Sequence, residues 1–182
     1  MINSDHLKFL IENGIQWIES QQCKYCNSAR FLSDEEKLQI SDFFRAEILE
    51  KAKIQFVPLI ENPPFYSIIP VQLRAGLINF NAMQGITFVD TILIAQKYRL
   101  SQHQMRSLIF HELVHVVQYE LLGIRTFVEK YVNGWAQNGF NYDNIPLEQH
   151  AYELQRKYEQ SHGTLFSVAT EVAQLLGISR VA

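Results

Sequence analysis

The chain has 182 residues, 47% of them hydrophobic and 19% charged, a balance that favours a folded core over disorder. That length suits one domain, so a single domain spanning 1–182 is expected. Sixteen basic against nineteen acidic residues give a formal charge of -3, with no basic block. Nucleic acid is disfavoured as a partner, because phosphate binding needs a basic footprint.

The first residues, MINSDHLKFLIENG, lack the charged start, apolar core and small-residue cleavage site of a signal peptide. No apolar run approaches the roughly 20 residues that a membrane-spanning helix needs. A cytoplasmic protein without a membrane partner is expected, with non-classical export and oligomeric state left open. Leu7, Leu10, Ile11, Ile15 and Ile18 recur at helical spacing after Asn3 and Ser4, which can cap the helix. The stretch QQCKYCNSA breaks that pattern. Its Cys23 and Cys26 form one C-x-x-C, with neither a second pair nor a thioredoxin-like context, and read as free thiols.

Ser33 followed by Glu36 has capping-box spacing and opens helical pieces running to about Lys53. IQFVPLI reads as a short strand, stopped by Asn62-Pro63-Pro64. Phe65 to Phe80 fits no period, and residues 1–80 as a whole carry no assignable motif. GITFVDTILIA, rich in β-branched residues and bounded by Gly85, reads as one strand. Ser101 can then cap a long helix ending at Leu122-Gly123. A second helix covers Ile124 to Ala136, followed by a polar loop, NGFNYDN. Pro146 opens the next helix, with Leu147, Ala151, Leu154 and Tyr158 on one face. A last helix is expected from about Thr164 to Leu176, closing at Gly177.

The long helix carries FHELVH inside SLIFHELVHVVQYELLG, where aliphatic residues would pack better. Positions four apart share a helix face, so His111 and His115 can aim two imidazoles at one ion. Glu112 is turned by about 100° from His111 and stands beside the ion, placed to take a proton from water. A catalytic zinc usually has three protein ligands, so a third is expected downstream. Glu129, Asp143, Glu148, His150, Glu153 and His162 are candidates. Glu148 is preferred, because it lies in the first turn of a helix after a long loop and Ala151 lets that helix approach closely. Gln118, on the face of His115, is a candidate to hydrogen-bond near the site. Tyr131, Tyr142 and Tyr152 are candidate donors to an oxyanion, although ordinary packing explains each of them as well. His6, His103 and His162 have no recognisable company.

HELVHVVQY followed by PLEQHAYEL resembles the gluzincin branch of the zincin metallopeptidases, in particular its small, single-domain members. The resemblance covers about Gly85 to Tyr158. It implies an α+β, zincin-like fold, mostly helical, with a small sheet packed on the H-E-x-x-H helix and a catalytic core over 85–158. It implies one zinc ion held by His111, His115 and Glu148, with Glu112 as general base. GITFVDTILI matches the place of an edge strand that pairs with an extended substrate. Many members carry an acidic residue four positions after the glutamate ligand, where it orients the first histidine; this chain has Tyr152. A phenol there accepts a ring N–H bond without charge, which implies lower zinc affinity or activity.

The expected activity is zinc-dependent hydrolysis of a peptide bond, with a peptide or protein as substrate. The alternative is a zinc-binding module that holds a peptide along its edge strand without turnover.

Overall fold

Apolar residues three and four apart bury one face of helix α1 (Ser4–Tyr25), placing Leu10, Ile15, Trp17 and Ile18 in the core. The computed structural model describes residues 4–74, 76–160 and 164–178. Helix α1 runs through the stretch expected to break it, with Cys23 in its last turns. What ends there is the apolar stripe, because Gln and Lys sustain a helix whose end has left the core. Cys23 and Cys26 are free thiols.

Strand β1 (Arg30–Phe31) is too short for any sequence period and pairs antiparallel with β2 (Lys53–Val57). Between them, the capping box at Ser33 forms as expected and starts α2 (Asp34–Leu38). Helix α3 (Ala46–Lys51) follows. Strand β2 stops at Val57 rather than running through IQFVPLI, since Pro58 has no N–H to give the ladder. The stretch without a period holds two 3-10 turns, Pro64–Ile68 and Phe80–Ala82, and the single-turn helix α4 (Val71–Arg74).

GITFVDTILIA is two strands and not one. β3 (Gly85–Phe88) and β4 (Thr91–Ala95) form a hairpin in which Phe88 pairs with Thr91 across Val89 and Asp90. Val89 takes φ 61, a conformation rare for a β-branched residue, which explains why no turn signal stands in the sequence. The sheet order is β1-β2-β4-β3, with β2 and β4 parallel and β3 at one edge. All five residues of β4 are buried, as expected for a strand covered on both faces. Ile92 and Ile94 face a core with Phe110, Leu113, Val114 and Ile48, whereas Leu93 and Ala95 face Trp17, Ile18 and Val128.

Helix α5 (Gln102–Gln137) opens on a capping box at Ser101 and breaks at Gly123, where φ is 70 and ψ is 164. That backbone region is essentially closed to residues with a Cβ, so the glycine is required. The break falls where the sequence places it, between two helical arms. Tyr119 on the first arm stacks on Phe127 of the second, with ring centroids 3.7 Å apart. Helix α6 (Pro146–Gln160) packs along α5, and α7 (Val168–Leu175) closes over the first core. Helix α7 starts later than the expected Thr164, at the cap Ser167. The architecture is α+β, mostly helical with a small mixed sheet. Among the described residues, no helix is long and apolar enough to cross a membrane.

Candidate metal centre

His111 and His115 lie one turn apart on the first arm of α5 and are both buried, as is Glu148 in the first turn of α6. The two Nε2 atoms are 3.2 Å apart, and Glu148 Oε2 lies 3.3 Å from the first and 3.4 Å from the second. A tetrahedral ion with ligand bonds of about 2.1 Å needs ligand atoms about 3.4 Å apart, so the triangle has the size such an ion requires. These three residues form a group that could hold a metal ion.

The polar atoms behind the ligands fix which lone pairs face inward. Gln118 Nε2 donates to the Leu147 carbonyl at 3.0 Å, which turns its Oε1 toward His115 Nδ1 at 2.8 Å. His115 Nδ1–H then donates to that oxygen and leaves the Nε2 lone pair facing the centre. Gln155 acts likewise on His111. Its Nε2 donates to Glu159, so its Oε1 faces His111 Nδ1 at 3.2 Å. The hydroxyl of Tyr131 donates to Glu148 Oε1 at 2.7 Å, leaving Oε2 buried without a hydrogen-bond partner. Three lone pairs thus converge on one buried point, an arrangement that is costly unless a cation sits there. The residues fit a metal ion.

The electrostatics agree with that fit. Burial alone would raise the Glu148 carboxyl, yet His115 and His111 hold it well below the usual carboxylate range. Burial alone would lower His115, but Glu148 beside it pushes the imidazole up to about 9. A site that favours positive charge this strongly favours a proton and a metal ion alike, so the two compete for it.

Glu112 is also buried, and it reaches the sheet rather than the triangle. Thr87 on β3 donates its hydroxyl to Glu112 Oε2 at 2.7 Å, with the Glu112 carbonyl at 3.0 Å. Gly85 on the same strand makes room, since a Cβ there would lie 2.5 Å from Glu112 Oε1. Burial raises the Glu112 pKa, with the two histidines opposing that rise only in part.

The other sequence candidates fall away from the triangle. Glu129 is half exposed near Arg125, Asp143 and Glu153 are exposed, and His150 is half-buried outside the group. His162 lies outside the described residues. Gln118 is fully buried and holds a ligand, as its helix face suggested. Tyr152 differs from expectation. It lays its ring against His111, with centroids 4.4 Å apart, and the ring N–H of His111 goes to Gln155. Of the three tyrosines, Tyr131 is committed to Glu148, whereas Tyr142 borders two cavities that Glu112 also lines.

Comparison of the chain with protein-family models, with characterised proteins and with solved structures gives no match.

Proposed function

We propose that the protein is a zinc-dependent peptidase in which His111, His115 and Glu148 hold the metal and Glu112 is the general base. The observation that carries this reading is the convergence of three buried donor atoms, 3.2, 3.3 and 3.4 Å apart, beside a further buried carboxylate. Two imidazoles and one carboxylate are a donor set that zinc accepts, and the resemblance of HELVH and its downstream glutamate to the gluzincins points the same way. Zinc bound there would supply a Lewis acid that polarises a scissile carbonyl and makes a water molecule acidic near neutral pH.

The chain's own groups do the rest. Glu112 Oε2 is occupied by the Thr87 hydroxyl, so Oε1 is the oxygen free to take the water's proton and pass it to the leaving amine. The bare Cα of Gly85 keeps Oε1 unobstructed. Strand β3, at the sheet edge, offers main-chain groups that can pair with an extended peptide. Gln118, Gln155 and Tyr131 hold the three ligands in orientation.

The test compares wild type with Glu112→Gln. Wild type should carry about one zinc by elemental analysis and cleave members of a peptide library. Glu112→Gln should keep the zinc and lose the roughly 10²–10⁴-fold that a general base contributes. Zinc lost from Glu112→Gln would make Glu112 a ligand. Peptide binding by wild type without any cleavage would favour the interaction module instead.

A further inference from the structure

The two histidines of the triangle are each oriented by a glutamine amide, and the two amides are held in different ways. Gln118 is buried and donates to the main-chain carbonyl of Leu147, at 3.0 Å. Gln155 donates instead to a side chain, that of Glu159, 3.0 Å away and exposed. Glu159 stands one turn beyond Gln155 on α6. The Ser107 hydroxyl, one turn before His111 on α5, gives it a second hydrogen bond. Tyr152, at the position where many gluzincins carry an acid, lays its ring against His111 and leaves the ring N–H to Gln155.

We propose that Glu159 is a positioning residue for the metal centre: it decides which end of the Gln155 amide faces His111, and thereby which His111 nitrogen is free to bind a metal ion. The inference rests on the metal-binding part of the reading above. The two ends of a primary amide are alike in shape and opposite in hydrogen-bonding sense, so packing alone does not choose between them. An ionised carboxylate only accepts, and it therefore takes the Nε2 end. The Glu159 carboxyl lies below its ordinary value of 4.5, chiefly through the Gln155 amide, with Ser107 and His103 adding to the effect and burial opposing it. Glu159 is thus ionised at neutral pH.

The Gln155 Oε1 is then left for His111 Nδ1, 3.2 Å away, which carries the ring proton. His111 Nε2 keeps its lone pair and turns it to the point shared with His115 and Glu148. With the amide turned over, its N–H would meet Nδ1 and the ring proton would move to Nε2. The nitrogen facing the centre could then no longer ligate. One ligand of the centre therefore answers to a surface carboxylate, whereas His115 answers to the main chain.

The test reads zinc affinity by competition with a chelator of known affinity, with circular dichroism as the control on folding. Glu159 is exposed, so its replacement should leave the fold intact. Glu159→Ala frees the amide and should weaken zinc binding several-fold. Glu159→Lys offers Gln155 a donor, which attracts Oε1 and turns Nε2 to His111. Its loss should reach the roughly 10–100-fold seen when the partner of a metal-binding histidine is removed. Glu153→Lys, exposed on another face of α6, makes the same change of charge and should have little effect. In a Gln155→Leu background, Glu159→Lys should add nothing. Gln155→Glu combined with Glu159→Lys should restore affinity. A carboxylate at 155 accepts the ring N–H directly, and an ammonium at 159 pairs with it one turn on. Equal affinity in wild type and Glu159→Lys, or equal losses in Glu159→Lys and Glu153→Lys, overturns the role of Glu159 and leaves the metal centre standing. So does a Gln155→Leu protein that still responds to Glu159→Lys, because the charge would then act without the amide. A wild type that holds no zinc overturns the metal centre and the role of Glu159 together.

Discussion

The Thr87 hydroxyl lies 2.7 Å from Glu112 Oε2, a buried bond between the edge strand of the sheet and the H-E-x-x-H helix. Val has the shape of Thr without the hydroxyl, so Thr87→Val removes this bond and the same hydroxyl's contact with the Glu112 carbonyl while keeping the packing. Hydrogen bonds to charged groups contribute about 1.5–3 kcal/mol, and kcat should fall roughly tenfold or more. Zinc content should stay the same, and Thr87→Ser should restore most of the rate. Loss of zinc in Thr87→Val would show that Thr87 acts on the ligands and not on Glu112.

Gly85 tests the same carboxylate by steric means. Its φ is ordinary, so alanine there is opposed by contacts alone: Glu112 Oε1 at 2.5 Å and Cδ at 3.0 Å, and the flexible end of Leu108 at 3.1 Å. Gly85→Ala should destabilise the protein by about 1–3 kcal/mol, the range for overpacking. In a Glu112→Ala background the same change should cost less, because the closest opposing atoms are gone and only the yielding Leu108 Cδ1 remains. Chemical denaturation of the four proteins measures the coupling; additive effects would show that the strain is elsewhere.

Gln118 links His115 to the start of α6. Gln118→Leu leaves the buried His115 ring N–H without its acceptor and takes a donor away from the Leu147 carbonyl. Zinc affinity should weaken about 10–100-fold, the usual loss when the partner of a metal-binding histidine is removed. Competition against a chelator of known affinity reads this directly. An unchanged affinity would mean that the His115 ring is held by packing alone.

Acid should act on the N-terminal half through Glu36. Burial raises this carboxyl, but the Arg30 guanidinium, with two bonds of 2.7 Å, and the Ser33 N–H bring it below its ordinary value of 4.5. A pKa depressed in the folded state stabilises the fold above the ordinary carboxylate value. That gain is lost as pH falls through the depressed value. Glu36→Gln keeps the capping reach without the charge. Wild type should therefore exceed it modestly at neutral pH, with the gap closing in acid. Denaturant melts across pH should show this, and a gap that widens toward low pH would contradict it.

Much of the site was legible because a helix converts spacing into direction. His111 and His115 had to share a face, and Pro146 with a small Ala151 marked where Glu148 could approach. Gln155 carries a signal of the same kind. It lies seven residues after Glu148, two turns along the same face of α6. Tyr131 carried none, since in a straight helix it would sit roughly 24 Å along the axis from His115. Only the turn at Gly123 brings its hydroxyl to Glu148. The hairpin was hidden for a different reason: Val89 and Asp90 make a tight turn without the glycine or asparagine that announces one. Thr87 could then not be placed opposite Glu112, because the register of a strand depends on where the hairpin turns.

The turn at Gly123 gives one helix two duties. Its first arm carries the histidines, while its second walls an apolar cavity and reaches back through Tyr131 to Glu148. Whatever fixes the second arm also constrains Glu148 through the Tyr131 hydroxyl. Linkage makes such an effect mutual: the factor by which a ligand tightens metal binding is the factor by which metal tightens the ligand. Metal uptake at Glu148 and the packing of the second arm are therefore expected to report on each other through the turn at Gly123.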